Sequence, residues 1–345
     1  MTEFAKMTGL LTEEHIATTA ESLAAWQLPS GMIPWTPGGH ADPWNHVEAA
    51  MALAVAGRVA EAERAYAWLA DLQHDDGAWH QYYLADGVEH DKFDANVIAY
   101  IATGIWHHWL ATSDRGFAET MFPVVEKAID WVFALQQDRG EILWARHPNG
   151  EPWSFALLTG CSSMYHSTRC ALALSRLVGH ERTDWIPRIE RLGNVLREQP
   201  EGAFAPKNRW AMDWYYPVLS GAVTGDAAVQ RLAARYDTFV MDGLGVRCVG
   251  DRPWVTTAET CECAIAHLAI GKREIAQDLF NTTWRMRAEG GHYWTGEVHP
   301  EEVHFPGGEQ STYSSAAVLL ANDALSGRSR ASGLFTEPAM LEVNQ

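Results

Sequence analysis

The stretch Gln73-His-Asp-Asp-Gly77, followed by Trp79, does not stand alone. A glutamine, a short turn ending in glycine and then an aromatic residue recur along the chain. They appear at Gln27-Leu-Pro-Ser-Gly31 with Trp35, Gln136-Gln-Asp-Arg-Gly140 with Trp144, and Gln199-Pro-Glu-Gly202 with Phe204. Weaker copies sit at Asp242-Gly243 and at Glu289-Gly290 with Trp294. The spacing is roughly 40–65 residues, the range of helical-hairpin repeats. A repeat of this size restricts the fold more than any other property of the chain. Each unit must bury its apolar face against its neighbours, and the array either runs on as a solenoid or closes.

What flanks each turn decides between these. Before the turns lie amphipathic stretches such as VAEAERAYAWLADLQ and TDWIPRIERLGNVLRE, with apolar residues at i, i+3, i+4 and i+7. After the loops lie charge-poor stretches such as EAAMALAVAG, NVIAYIATGIW and ETCECAIAHLAIG. Outer and inner helices therefore alternate, six of each. A solenoid would show a tighter period and more uniform units. Long loops rich in Trp, Gly and Pro on one side favour a closed, all-α (α/α)6 toroid. The reading is one domain over residues 1–345, with the core at about 15–327 and an irregular tail after Gly327.

The inner helices begin abruptly in polar and aromatic residues. In HADPWNHVEAAMALAVAG, Asp42, Trp44, His46 and Glu48 crowd the start and the remainder is apolar. Similar starts carry Asp94; Tyr165 and His166; Trp210, Asp213 and Trp214; Glu259 and Glu262; and Glu309. If all six starts share one rim, carboxylates and aromatic rings converge on a pocket. Helix capping by Asp and first-turn Glu is the plain alternative, and it covers Asp94, Glu309 and Asp42. It covers Glu262 poorly. Glu262 lies between Cys261 and Cys263 in an apolar stretch, one turn after Glu259, where its carboxyl should hold its proton. Glu262 is the expected general acid. Asp42, after a Gly-Gly-His loop and before Pro43, is expected to stay exposed and ionised as the base. Trp44, His46, Glu48, Asp94, Tyr165, His166, Trp210, Asp213, Trp214, Glu259 and Glu309 are expected to contact substrate, with Asp94 and Asp213 binding hydroxyls.

The composition narrows the ligand. A formal net charge of −18 repels nucleic acid and anionic membranes. Sixteen Trp suit rings that stack on sugars. No nucleotide-binding or nucleophile-elbow motif is present, so no cofactor is expected, and a two-carboxylate glycoside hydrolase needs none. Five cysteines at no disulfide-scaffold spacing, no long apolar run and no signal-like start are read as a cytoplasmic protein.

On these turns and helix starts, residues 15–327 resemble two groups of six-hairpin proteins. One is the (α/α)6 glycoside hydrolases, glucoamylase-like enzymes among them. The other is the squalene cyclases and protein prenyltransferases, whose Gln-x-x-Asp-Gly-x-Trp turn Gln73–Trp79 resembles. The cyclase likeness implies an Asp-x-Asp-Asp motif, which Asp75-Asp76 and Asp91-Lys-Phe-Asp94 do not supply. The prenyltransferase likeness implies a zinc site, imitated only by Cys261, Cys263 and His304; the reading here is no metal. The glucoamylase-like resemblance implies an acid on the third hairpin and a base near the sixth. Gly296-Glu297 and Thr312-Tyr-Ser-Ser315 look like the latter. The third hairpin departs, with Ser162, Ser163, Tyr165 and His166 at its helix start and only Glu151 upstream. The whole chain is similar to the actinobacterial hydrolases of methylmannose polysaccharide, which implies internal α-mannoside cleavage, with inversion as the stereochemical expectation. Sugar epimerases on this toroid, with His46, His166 or His304 as acid and base, and a non-catalytic glycan-binding protein remain alternatives.

Overall fold

In a computed structural model, which describes residues 7–341, helices alternate between two shells. The outer shell is α1 (Glu13–Trp26), α3 (Val59–Leu72), α6 (Arg115–Phe133), α8 (Ile186–Glu198), α10 (Gly225–Ala234) and α13 (Arg273–Thr282). The inner shell is α2 (Pro43–Val55), α4 (Ala95–Ala99) running into α5 (Ile101–Thr112), α7 (Leu158–Leu177), α9 (Ala211–Leu219), α12 (Thr257–Ala269) and α14 (Thr312–Ser326). A short α11 (Tyr236–Phe239) follows α10. Helix α2 packs on α5, α5 on α7, α7 on α9, α9 on α12 and α12 on α14, and α14 returns to α2. The molecule is therefore a helical toroid. Outer helices bury a single stripe, as in α8, where Ile189, Leu192, Val195 and Leu196 face inward. Inner α2 is buried continuously from His46 to Ala54.

The repeated turn owes its form to two contacts. Gln73 donates from Nε2 to Gly77 O (3.1 Å) across its own turn and to Val124 O (2.8 Å) of the next outer helix. Gln27 does the same to Gly31 O and Glu61 O, and Gln136 to Gly140 O and Arg188 O. Each glycine has positive φ (+99°, +98° and +127° at Gly31, Gly77 and Gly140) and lies against that helix's backbone. A Cβ there would collide with the carbonyl of Arg64, Lys127 or Arg191. In the sixth turn Gly291, one residue beyond the Glu289-Gly290 pair, presses on Thr18 O of α1 and joins the last unit to the first. The fourth turn differs: Gln199 Nε2 donates to Leu196 O of its own helix, and a Cβ on Gly202 would find open space.

The all-α expectation misses several small sheets. Strands β1 (Tyr82–Leu84) and β2 (Gly87–His90) form a hairpin, and β3 (Phe93–Asp94) pairs with β4 (Ala145–Arg146). A five-stranded antiparallel sheet runs in order through β5 (Val240–Met241), β6 (Gly245–Arg247), β7 (Trp254–Thr256), β8 (Trp294–Val298) and β9 (Val303–Gln310). The long loops fold over the mouth of the ring, where their backbone polar groups must pair with one another. Eight of the nine described strands run only two to five residues, too short for a periodicity reading to detect, and the eight-residue β9, VHFPGGEQ, lacks the regular apolar alternation of a half-buried strand.

After Gly327 the chain crosses the opposite end. Phe335 stacks on His166 (4.6 Å between rings), and Met340 O accepts from Trp106 Nε1 (2.9 Å). Among the described residues no helix is long and apolar enough to cross a membrane.

Replacing Gly77 by Ala should lower the unfolding free energy by about 3 kcal/mol, through positive φ and a backbone clash. Gly202→Ala, strained only in φ, should cost about 1 kcal/mol. Urea unfolding of the two variants measures the difference.

Candidate active site

The starts of the inner helices are in register. Their N-caps are Asp42, Asp94, Leu157, Trp210, Thr256 and Ser311. Asp42 accepts from Asn45 N (3.0 Å), Asp94 from Asn96 N (3.1 Å) and Ser311 from Ser314 N (3.2 Å). Two residues beyond four of these caps stand Trp44, Asn96, Thr159 and Met212. Together with Asp94, Leu157, Trp210, Asp213, Gly160, Trp144 and Lys207 they line an open cleft of about 240 Å³. Six residues beyond the six caps stand Glu48, Tyr100, Ser163, Tyr216, Glu262 and Ala317. All of these except Ser163 border a void of about 20 Å³, the plugged centre of the ring. At roughly 100° per residue, positions two and six share the inward face of a helix.

Two carboxylates therefore meet on the floor. Glu262 accepts from Tyr313 OH (2.7 Å) and from Tyr215 OH. Glu48 Oε1 accepts from Tyr100 OH (2.8 Å) and from Trp44 Nε1 (2.9 Å). Both side chains are almost fully buried. Burial first, and then the neighbouring Glu48 charge, push the Glu262 carboxyl well above the usual range. Burial raises Glu48 to about 7 against the pull of its two donors. The pair thus keeps a proton near neutral pH, with Glu262 the stronger holder. Glu259, half-buried one turn above, adds to the effect and is itself raised by burial.

Above this floor Asp94 faces the cleft. Burial lifts it to about 6 while Lys92 opposes the shift. The Lys92 ammonium lies 3.8 Å from the centre of the Trp144 ring. Asp213 accepts from Thr159 Oγ1 (2.6 Å) and Thr159 N (3.2 Å), which fixes its orientation at the cleft wall. Trp44 stacks on Tyr100 (5.0 Å), and Trp210 stands 44% exposed at the edge. Glu309 accepts from Trp35 Nε1 (2.7 Å) and Thr295 Oγ1 (2.8 Å), holding the loop before α2 to strand β8.

Several sequence expectations need correction. Asp42 is not exposed: Ala41 pairs with Tyr83 through two backbone bonds, which buries Asp42 and raises its carboxyl. His46 and Trp214 both lie four residues past their caps, on the face turned away from the ring centre. His46 joins Ile33 N (3.0 Å) to Ala65 O (2.8 Å), and Trp214 Nε1 donates to Arg231 O (3.0 Å) while its ring stacks on Phe239. Tyr165 and His166 lie too deep. They border a hollow of about 400 Å³ at the opposite end, with Arg169 and Phe335. Another hollow of about 460 Å³ lies among Tyr236, Met241, Asp278 and Arg285. Both are larger than the cleft, but neither receives the helix N-termini with their converging carboxylates. Cys261 and Cys263 are buried core residues, and among the described residues no group of three or more His, Cys, Asp or Glu is placed to hold a metal ion. Sequence reasoning passed over Tyr100, Trp144, Lys92 and Met212. Counting six from the Asp94 cap would have found Tyr100.

A mouth of aromatic rings over paired carboxylates, on a helical toroid, is the equipment that glycoside hydrolysis uses. Solved structures agree in fold. A wild-type glycosidase superposes with a TM-score of 0.69 at 15% identity, covering 93% of this chain and all of that one. The GH63 mannosylglycerate hydrolase from Thermus thermophilus, in complex with Tris and D-glycerate, gives 0.71 at 13% identity over 88% and 99%. No protein-family model matches the chain. The MMP endo-(1,4)-3-O-methyl-alpha-D-mannosidase of Mycolicibacterium hassiacum is 50% identical over 327 residues, 95% of this chain and 90% of that protein. The chain belongs to the family of that enzyme.

The raised Glu48 carboxyl has a consequence for stability. An acid whose folded pKa is raised lends stability below its unfolded pKa of about 4.5 and loses it as pH rises through about 7. Relative to wild type, Glu48→Gln should therefore gain stability between pH 5 and pH 7.5, by up to about 3 kcal/mol. Urea unfolding at the two pH values tests this.

Proposed function

We propose that this chain hydrolyses internal α-(1,4) bonds between 3-O-methylmannose units of a methylated mannan. The observation that carries the reading is the cleft itself. Its walls, Trp44, Trp144, Trp210, Leu157 and Met212, suit a sugar chain bearing methyl groups, and Asp94, Asp213 and Thr159 suit its free hydroxyls. The 50% identical relative is named for that bond. The six inner and six outer helices are read as a six-hairpin (α/α)6 barrel serving as one catalytic domain. Five free cysteines and the uncharged sugar suit action in the cytoplasm without a cofactor.

In the proposed mechanism Glu262, protonated on the floor, donates its proton to the glycosidic oxygen as the C1–O bond breaks. Asp42, buried at the start of α2 but kept as the proposed base, takes a proton from water in its ionised form, and the water oxygen attacks C1 from the opposite face. The products are two shorter chains, one with a new reducing end, and the anomeric configuration inverts. Glu48 holds the proton on Glu262 and orients Trp44 through the indole N–H. Asp94, raised to about 6 and facing the open cleft, is the rival proton donor.

Glu262→Gln should lower kcat on 3-O-methylated α-(1,4)-mannooligosaccharides by about 10³-fold. A larger loss in Asp94→Asn would transfer the acid role to Asp94. Proton NMR of the first product should show the β-anomer. Glu48→Gln should move the alkaline limb of the pH–rate profile to lower pH, because the charge that holds the Glu262 proton is gone.

A further inference from the structure

The sheet beside the cleft has two unlike faces. Register places Val255, Glu297 and His304 in one row, and Val255 and Glu297 are buried. The alternate rows are Trp254–Val298–Val303 and Thr256–Gly296–Phe305. Paired residues on adjacent strands point to the same side, so these rows share the other face. Trp254 is 37% exposed and Val303 58% exposed. Gly296 is bare, and the Phe305 ring occupies the place its side chain would take. That brings Phe305 to 5.6 Å from Trp254. Neither row carries a charge, on a chain of net charge −18.

This face continues from the cleft. Trp210, on the cleft edge, bridges to Val249, and Cys248 N donates to Trp254 O (3.0 Å). Strand β7 then ends in Thr256, the cap of α12, whose sixth residue is Glu262.

We propose that Trp254 and Phe305 form a distal glycan-binding subsite, which holds a stretch of the polysaccharide several sugars from the scissile bond. The proposal rests on the function proposed above. An exposed apolar patch on a soluble surface marks a binding surface, and an uncharged one beside a sugar cleft fits the apolar faces and methyl groups of the same chain. A second copy of the protein fits less well, since two such surfaces bring together molecules of the same large net charge.

The test is Trp254→Ala against wild type on a ladder of 3-O-methylated α-(1,4)-mannooligosaccharides. On the longest chain KM should rise about tenfold with kcat unchanged. On the shortest chain cleaved neither constant should move, and Trp254→Phe should restore the long-chain KM. An equal loss on short and long chains, or no loss on long ones, overturns the subsite. Calorimetry of the longest chain on wild type and Trp254→Ala reads binding at low temperature, independently of turnover. If wild type cleaves nothing yet binds more tightly than Trp254→Ala, the hydrolytic reading fails and the subsite stands. Equal binding overturns the subsite, and no binding to either protein overturns both. Sedimentation showing a wild-type dimer that Trp254→Ala dissociates assigns the face to self-association instead.

Discussion

The structure depends on a polar side chain between two helical hairpins. At Gln27, Gln73 and Gln136 one amide nitrogen satisfies a carbonyl of its own turn and one of the next outer helix. A glycine beside it lets the two backbones touch. Burying the turn would otherwise leave unpaired carbonyls, each costing about 1–3 kcal/mol. At these three joints the contact also fixes how far one hairpin rotates relative to the next. With that angle set, the inner helices start at a common height and their caps form a rim. The cleft follows from the common height of these helix starts.

Common height has an electrostatic result. Floor positions filled by Tyr, Ser and Ala alone would make an inert plug. This chain places Glu48 and Glu262 there, where burial and mutual repulsion both oppose ionisation. Tyrosine and tryptophan donors stabilise the charged forms and fix the carboxyls in place without solvating them. Trp44 lines the cleft and bonds Glu48, so the surface on which a sugar would lie is tied directly to the proton-holding pair.

The helical alternation was legible because its period and its turn residues are local signals. The cap Asp94 and the raised carboxyl of Glu262 were legible for the same reason, whereas Asp42, read first as an exposed base, caps α2. What failed was direction. His46 and Trp214 lie within the polar starts, yet four residues past a cap is the far side of the helix. Tyr165 and His166 share the start of α7 but sit beyond the plug. The burial of Asp42 depends on Tyr83, some forty residues away, and no local pattern carries that. The sheet over the mouth was missed because its strands exist only through their pairing.

The closing joint also concerns how the chain reaches its fold. Asn322 in the last inner helix accepts from the amide of Leu11, Thr312 donates to Pro34 O, and Gly291 rests on α1. Contacts between segments some 300 residues apart cannot form while the chain is still emerging from the ribosome. The early hairpins can stack as they appear, but they form an open arc with an unmatched end. Closure is the contact of greatest sequence separation, and its loop entropy must be met before its hydrogen bonds offset it. Until it happens the carboxylates have no common floor, so the proton-holding pair is assembled only in the completed ring.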